Sequence, residues 1–539
     1  MYPRSAVVEN HPPSDATARL HLVLVPGFVG FDALGQLDYY AGVTQVFDHW
    51  NGPRGQASRH VSIHYFDNSP TASVKLRSTR LRGYLAERVA RGEFAPGDRL
   101  ALIGHSTGGL DIRRALYDIA ADEDEVLVAD GCCRVRHSEI LALIKRVVFL
   151  SVPHFGTNLA DFACRFGTTI QGFAADAVVG LQFNHGWLGT LRRQLFALLP
   201  SSQSNLVLAI VDALDESDEN PTATDEQQAA QREARFALTA YLDNIARDFS
   251  IIEDLQSQTP ANTADDPSVP PRPKSPAHFS ESERKEEITT WRTHGIETRS
   301  YATRVPPRYT RTPTRAIAEK LVRAMHWAGP AMDLVVKVIP RGPVKWLVPP
   351  VAAAIEVARA GELLSVPAFL DLLGWVPSLV FDVFHAACAD SAGPFRDPES
   401  LASQSLVPTY TELGAKAAAP PQPRSRIAVG DSDGVVNTLS QFWPFDPENP
   451  AAHPVTLVDA DHGDVIGHFA LKALAYPVPG GRRFFAYDFF QTELRFTQAQ
   501  FDKLWKSVFD FCATALEAAD ASKETRANRA MHSGADTAS

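Results

Sequence analysis

Residues 99–109 read RLALIGHSTGG. An apolar run of strand length ends in glycine, one variable residue, serine, another variable residue and two glycines. A helix-like stretch then runs from Leu110 to Ala121. Few chain paths satisfy such a junction. A serine lifted above a sheet edge sits on a turn so tight that side chains two positions either side of it would collide, which accounts for Gly104 and Gly108. A helix that starts directly after Ser106 points its free N–H groups at negative charge developing beside the serine. A bare G-x-S-x-G arises often by chance, and a plain Ser-Gly connector would also read this way. The strand before it and Gly109 after it mark Ser106 as a candidate nucleophile.

The surroundings repeat the strand-then-helix rhythm. Strand-like runs occur at Leu20 to Val25, His60 to Phe66, Arg99 to Gly104 and Arg146 to Val152, with helical stretches such as Ser73 to Arg91 between them. Alternation of this kind implies parallel strands joined by crossovers. Nearly continuous apolar strands imply an α/β sheet covered on both faces. From about residue 160 to 425 clean strands become scarce. Residues 256–287 are rich in Pro, Ser, Asp and Lys and read as a mobile loop. Thr298 to Val305 is a weak strand candidate, and Ala316 to Ala387 is apolar and helical with interspersed prolines. Core-like pattern returns at Ser425 to Val429 and Val455 to Val458, followed by a helix from Thr497 to Ala519. The organisation expected is a flexible N-terminus (1–19), a catalytic α/β domain (20–160 and 425–519), a mainly helical insertion or cap (161–424) and a flexible tail (520–539).

Composition narrows the function classes. Among 539 residues, 52 Lys and Arg stand against 63 Asp and Glu, a net charge of −11. That balance argues against a general nucleic-acid binder, which needs a basic footprint. Hydrophobic residues make up 45% of the chain, enough to exclude disorder throughout. The five cysteines include the adjacent Cys132 and Cys133 and do not form a disulfide framework. No H-E-x-x-H, paired C-x-x-C or Walker loop occurs, so neither a catalytic metal nor a nucleotide cofactor is expected. The first twenty residues lack the apolar core of a secretory signal, and the expectation is a cytoplasmic location. Leu363 to Phe381 comes nearest to a membrane span but carries Asp371, two prolines and a glycine. It reads as a buried or surface-active cap helix, compatible with contact at a membrane surface. Whether 316–387 forms a mobile lid over an acyl pocket or a fixed helical core is open at this level, as is the oligomeric state.

Three segments together carry a resemblance. Val25-Pro26-Gly27-Phe28-Val29-Gly30-Phe31, Gly104-His105-Ser106-Thr107-Gly108-Gly109 and Val152-Pro153-His154-Phe155-Gly156-Thr157 resemble the α/β-hydrolase fold, in particular bacterial triacylglycerol lipases and related esterases. The resemblance covers roughly 20–160 and 425–475. It departs from the usual family pattern at Pro26-Gly27, where His-Gly is common, and at Val152-Pro153-His154, where Thr-Pro-His is common.

The resemblance implies a serine hydrolase with the chain order serine, acid, histidine. Such an enzyme needs two backbone donors on the tetrahedral oxygen. One is the N–H of Thr107, next to the nucleophile, and the resemblance places the other at Phe28. Relatives of this type carry the acid immediately before a glycine and two apolar residues, which selects Asp433 over Asp431 in Asp431-Ser432-Asp433-Gly434-Val435-Val436. The histidine belongs in the loop after the last strand, where His462 stands. His453 precedes that strand and His468 falls in a following helix. Some relatives hold a structural calcium two residues after the histidine, the place of Asp464, where the plainer reading is a helix cap. The activity expected is carboxylic-ester hydrolysis on a small-molecule or lipid ester. Polyester depolymerisation or phospholipase activity on the same residues is an alternative, as is a catalytically silent fold that binds a lipid or a protein.

Overall fold

The computed structural model describes residues 18–28, 33–34, 37–52, 60–124, 126–129, 133–164, 247–256, 275–306, 407–415, 420–444, 455–469, 474–477, 483–486, 492 and 494–535, with short pieces within 315–322 and 382–389. The segment 363–381 and most of 316–387 lie outside the described residues, as does most of the loop 256–287.

The strands are β1 (Leu20–Val25), β2 (Ala33–Leu34), β3 (Leu37–Asp38), β4 (Val61–Tyr65), β5 (Arg99–His105), β6 (Val126–Ala129), β7 (Cys133–Arg136), β8 (Ile144–Leu150), β9 (Glu297–Arg304), β10 (Thr409–Glu412), β11 (Gln422–Pro423), β12 (Val455–Asp459), β13 (Leu474–Pro477) and β14 (Arg483–Ala486). Eight of them form one sheet in the order β4-β1-β5-β8-β9-β12-β10-β11, and all its pairings are parallel except β10 with β11. The helices are α1 (Val43–Asn51), α2 (Val74–Ala90), α3 (Thr107–Ala121), α4 (His137–Leu143), α5 (Asn158–Ala163), α6 (Ile251–Asp254), α7 (Glu281–Thr293) and α8 (Gln498–Ala535).

The doubly covered sheet explains the apolar runs. In β1, Val23 and Val25 pack with Leu81, Leu85, Leu116 and Trp291 on one face. Leu22 and Leu24 pack with Phe47, Phe501, Trp505 and Phe509 on the other. Alternate side chains point to opposite faces, so a strand buried on both has no polar phase.

Four local expectations need correction. Residues 281–287, read as the end of a mobile loop, instead open α7, because Ser280 and Glu283 form a reciprocal cap at its start. The sheet takes β9 and β10 from within 161–424, the stretch read as a helical insertion. β9 is central, yet its sequence ETRSYATR is polar, because Ser300 and Thr303 find specific buried partners in the Trp443 carbonyl and the Gln441 side chain. Residues 425–429 are not a strand: Arg424–Arg426 is a 3₁₀ turn with no buried residue, following Pro423, and Ile427 is the core contact. The tail expected to fray from residue 520 continues α8 to Ala535. Its residues are largely good helix formers, and the stretch contains no proline.

Candidate active site

At the carboxyl end of β5 the chain turns into α3 through Ser106, whose backbone angles are φ 53° and ψ −130°. A non-glycine residue with positive φ is under strain, and the surroundings must over-determine it. The glycines show how. A Cβ on Gly104 would lie 2.6 Å from the Gly109 backbone nitrogen, and one on Gly108 would lie 2.7 Å from the Pro26 carbonyl oxygen. The Ser106 N–H is bonded to the Leu150 carbonyl at 2.9 Å, which ties the turn to β8. Ser106 itself is 2% exposed.

The loop after β1 runs beside this turn, so close that a Cβ on Gly27 would stand 2.5 Å from the Ser106 Cβ. Its backbone is gripped by Arg77 from α2. The Arg77 guanidinium donates to the carbonyls of Pro26 at 2.8 Å and Gly27 at 3.1 Å, and to Ser69 and Pro70. It pairs with Asp111 of α3, both side chains fully buried. In a trans peptide the N–H and C=O point in opposite directions. With the Gly27 carbonyl turned to Arg77, the Phe28 N–H points away from it. Phe28 is half-buried, and its ring packs edge-on against Phe249. Thr107 is the first residue of α3, where backbone N–H groups have no partner inside the helix.

The acid and the histidine meet directly. His462 Nδ1 lies 2.8 Å from Asp433 Oδ2, and the His462 N–H donates to the Asp433 carbonyl at 3.1 Å. Asp433 is fully buried with its oxygens saturated. Oδ1 accepts from the N–H groups of Val435 at 3.0 Å and Val436 at 2.8 Å. Oδ2 accepts from Thr303 Oγ1 at 2.6 Å and Gln441 Nε2 at 3.3 Å. Thr303 in turn pairs with Ser151 Oγ at 2.8 Å, at the end of β8, where Ser151 also has positive φ. Asp431 points elsewhere: Oδ2 caps the Ala428 N–H and faces Arg304. His462 reaches the neighbourhood of Ser106 through His105, whose ring centroid lies 4.6 Å from its own.

Asp464 and Asp461 form a reciprocal cap around His462. Asp464 Oδ2 accepts the Asp461 N–H at 2.8 Å, while Asp461 Oδ1 accepts from Gly463 and Asp464. Among the described residues no group of three His, Cys, Asp or Glu converges as a metal site. His468 is buried and bonded to the Tyr39 carbonyl, away from Asp433.

The β4-β1-β5-β8-β9-β12 order, with a strained serine after β5, an acid packed on the end of β9 and a histidine after β12, decides the architecture. The fold is that of the α/β-hydrolases. No family model matches the chain, and no curated protein does. Solved structures similar to this chain include lipase BlEst2 of Bacillus licheniformis in its mature form (22% identity, 29% of this chain and 48% of that one, TM-score 0.19). Lipase 1 of Pelosinus fermentans matches over 91% of this chain and 98% of that one at 12% identity and TM-score 0.31. Phospholipase PlaB of Legionella pneumophila matches over 26% and 27% at 15% identity and TM-score 0.18. The chain thus spans about half the length of the Bacillus lipase and about a quarter of the phospholipase.

Several groups escaped the sequence reading: Arg77, Asp111, Thr303, Gln441, Tyr39 and the ring of His105. Arg77 carried a signal. It shares a helical face with Val74, Leu81 and Leu85, all buried, and a charge on an apolar face needs a buried partner.

Proposed function

We propose that this α/β-hydrolase is a serine carboxylic-ester hydrolase of lipase or esterase type, with Ser106 as nucleophile, His462 as general base and Asp433 as its orienting acid. The observation that carries this is the 2.8 Å bond from Asp433 to His462 Nδ1, with the His462 ring 4.6 Å from that of His105, the residue before a serine held at φ 53°. Asp433, saturated by donors, favours the tautomer in which Nδ1 holds the proton and Nε2 is free to accept one.

Ser106 Oγ attacks the ester carbonyl carbon and passes its proton to His462 Nε2. The N–H groups of Phe28 and Thr107 receive the oxyanion. Breakdown expels the alcohol, which takes the proton from His462, and leaves an acyl ester on Ser106. Water then attacks with the same base, releasing the acid and restoring the serine. The acyl part is medium or long, a reading supported by the nearly uncharged stretch 363–381, since each buried methylene adds about 0.8 kcal/mol.

Labelling with a fluorophosphonate, followed by hydrolysis of p-nitrophenyl esters of increasing chain length, tests the proposal. The expected result is one adduct on Ser106, activity abolished in Ser106→Ala, and rates that climb with chain length. A folded parent that takes no adduct and cleaves no ester refutes it in favour of a binding protein.

A further inference from the structure

Between the two halves of this site lies an unbroken chain of hydrogen bonds, buried at Tyr39 and part-buried at His462. The Gly27 N–H donates to Tyr39 Oη at 2.8 Å. Tyr39 Oη lies 2.6 Å from His105 Nδ1, and His105 Nε2 lies 3.1 Å from the His462 carbonyl oxygen. A carbonyl can only accept, so Nε2 carries the ring proton. Nδ1 is then an acceptor, and the Tyr39 hydroxyl donates to it. The direction is therefore fixed at every link, from the Gly27 amide through Tyr39 and His105 to the His462 backbone. The residues joined at one end of this chain, His105 and His462, stand 357 positions apart in sequence.

We propose that Tyr39 and His105 act together as a positioning pair that sets the distance between the Phe28 amide and the His462 imidazole across Ser106. Both ends are held from the opposite side as well. The Pro26–Gly27 peptide offers its N–H to Tyr39 and its carbonyl to Arg77, so its plane is gripped at both edges. His462 gives its N–H to the Asp433 carbonyl and its own carbonyl to His105. The next peptide, which carries the Phe28 N–H, is held through its Gly27 carbonyl by the same Arg77, so the oxyanion amide and the base cannot drift independently. Geometry of this kind matters most where charge develops, because a donor aimed in advance needs no reorganisation during the reaction.

The electrical state of the links suits the task. Burial, and then the charge that His462 acquires on accepting a proton, hold His105 well below the usual histidine range. It stays neutral when His462 turns positive, and Nδ1 remains an acceptor. Burial likewise keeps the Tyr39 hydroxyl protonated, well above its ordinary value.

The pair's role rests on the proposed ester hydrolysis, and the test separates the two. Tyr39→Phe removes the central hydroxyl. His105→Phe keeps an aromatic ring but loses both the donor toward the His462 carbonyl and the acceptor for Tyr39. Parent, both single variants and the double variant are compared for kcat and KM on a p-nitrophenyl ester. A trifluoromethyl ketone of the same chain length, which adds to Ser106 and creates an oxyanion, is measured as inhibitor. The expected result is a fall of about ten-fold in kcat/KM for each single variant, carried by kcat with KM near the parent's. The inhibition constant of the ketone should rise by the same factor, since it mimics the transition state. The double variant should be no worse than the poorer single one, because both break one chain. Folded variants with parental kcat/KM and ketone affinity overturn the inference, as do losses that multiply in the double variant. A merely structural pair would lower the melting temperature and leave both ratios unchanged. If Tyr39→Phe does not fold, His105→Phe decides by the same two readouts. A parent that cleaves no ester and takes no fluorophosphonate refutes the hydrolase reading and this role with it; an active parent with unaffected variants refutes this role alone.

Discussion

Replacing Asp433 by Asn tests the acid most sharply, because the structure dictates how the amide must turn. Oδ1 faces two rigid backbone donors, the N–H groups of Val435 and Val436 at 3.0 and 2.8 Å. An asparagine must place its carbonyl oxygen there, since its NH₂ would leave both donors unsatisfied. The NH₂ then replaces Oδ2, opposite His462 Nδ1 and beside the Thr303 hydroxyl and the Gln441 amide. Facing a donor, His462 must offer Nδ1 as acceptor and move its proton to Nε2. That tautomer cannot take the Ser106 proton. The serine-protease precedent for a wrong tautomer with intact geometry is a loss of ~10⁴-fold in turnover.

Folding should suffer much less, because Gln441 Nε2 keeps the carbonyls of Thr303 and Val436 as acceptors and the Thr303 hydroxyl keeps the Gln441 carbonyl. Asp431→Asn is the matched control: its carboxylate caps Ala428 and faces Arg304, with no contact to His462. Turnover of p-nitrophenyl ester by both variants, checked for folding by circular dichroism, settles the matter. Near-parental turnover in folded Asp433→Asn, or an equal loss in Asp431→Asn, would refute the reasoning.

Gly108→Ala should abolish activity and lower soluble yield, because its Cβ would collide with the Val25 and Pro26 carbonyl oxygens; a soluble variant that still labels with fluorophosphonate would contradict this. Arg77→Met should destabilise the fold by about 3–5 kcal/mol, since it strands the buried Asp111 carboxylate. Adding Asp111→Leu should restore most of the urea midpoint but not kcat, because the Pro26 and Gly27 carbonyls stay unclamped. The contribution of His64 and His385 to stability should fall as pH drops below 6.5, because burial lowers them to about 3 and about 4 and the unfolded chain binds their protons first, while Asp111 and Asp254, raised by burial to about 6, act in the opposite sense below pH 6. Each group contributes a slope of at most about 1.4 kcal/mol per pH unit, and urea titrations should show a shallower slope in His64→Gln.

What could be read from the sequence was whatever the backbone itself enforces. Gly104 and Gly108 announce the serine turn because no other residue fits there, and LHLVLV announces a strand covered on both faces. Asp433 and His462 were found by their order along the chain and their place after apolar runs. Partners supplied by remote backbone left no comparable trace. Tyr39 bonds a Gly27 amide and a histidine ring 66 positions away, which no periodicity encodes. β9 was weak in sequence for the same reason that it matters: Thr303 occupies a core position in order to hold Asp433. The 3₁₀ turn at Arg424–Arg426 was misread as a strand since Ile427 and Val429 alternate correctly, while the residues before them are exposed.

The same contacts explain how the site tolerates so long an excursion of the chain. Thr303 and Asp433 are 130 positions apart, yet the acid loop returns to the end of β9 and is fastened there repeatedly. Val305 donates its N–H to the Ser432 carbonyl at 2.9 Å, and Thr438 Oγ1 donates to the Thr303 carbonyl at 2.9 Å. Closing a loop becomes costlier only logarithmically with its length, about 0.6 kcal/mol per doubling. One net hydrogen bond of about 1 kcal/mol offsets more than a doubling. Asp433 therefore depends on the fastening at its own loop rather than on how far the chain travels before reaching it. The same reasoning applies to His462, which is tied to Asp433 and His105 at its own backbone. The geometry around Ser106 is thus set by short contacts at the carboxyl ends of β1, β5, β9 and β12, and the acid loop is held further from the stretch between β9 and β10, where His385 bonds the Ser432 hydroxyl at 2.7 Å and the Cys388 carbonyl accepts from Asn437 at 2.8 Å.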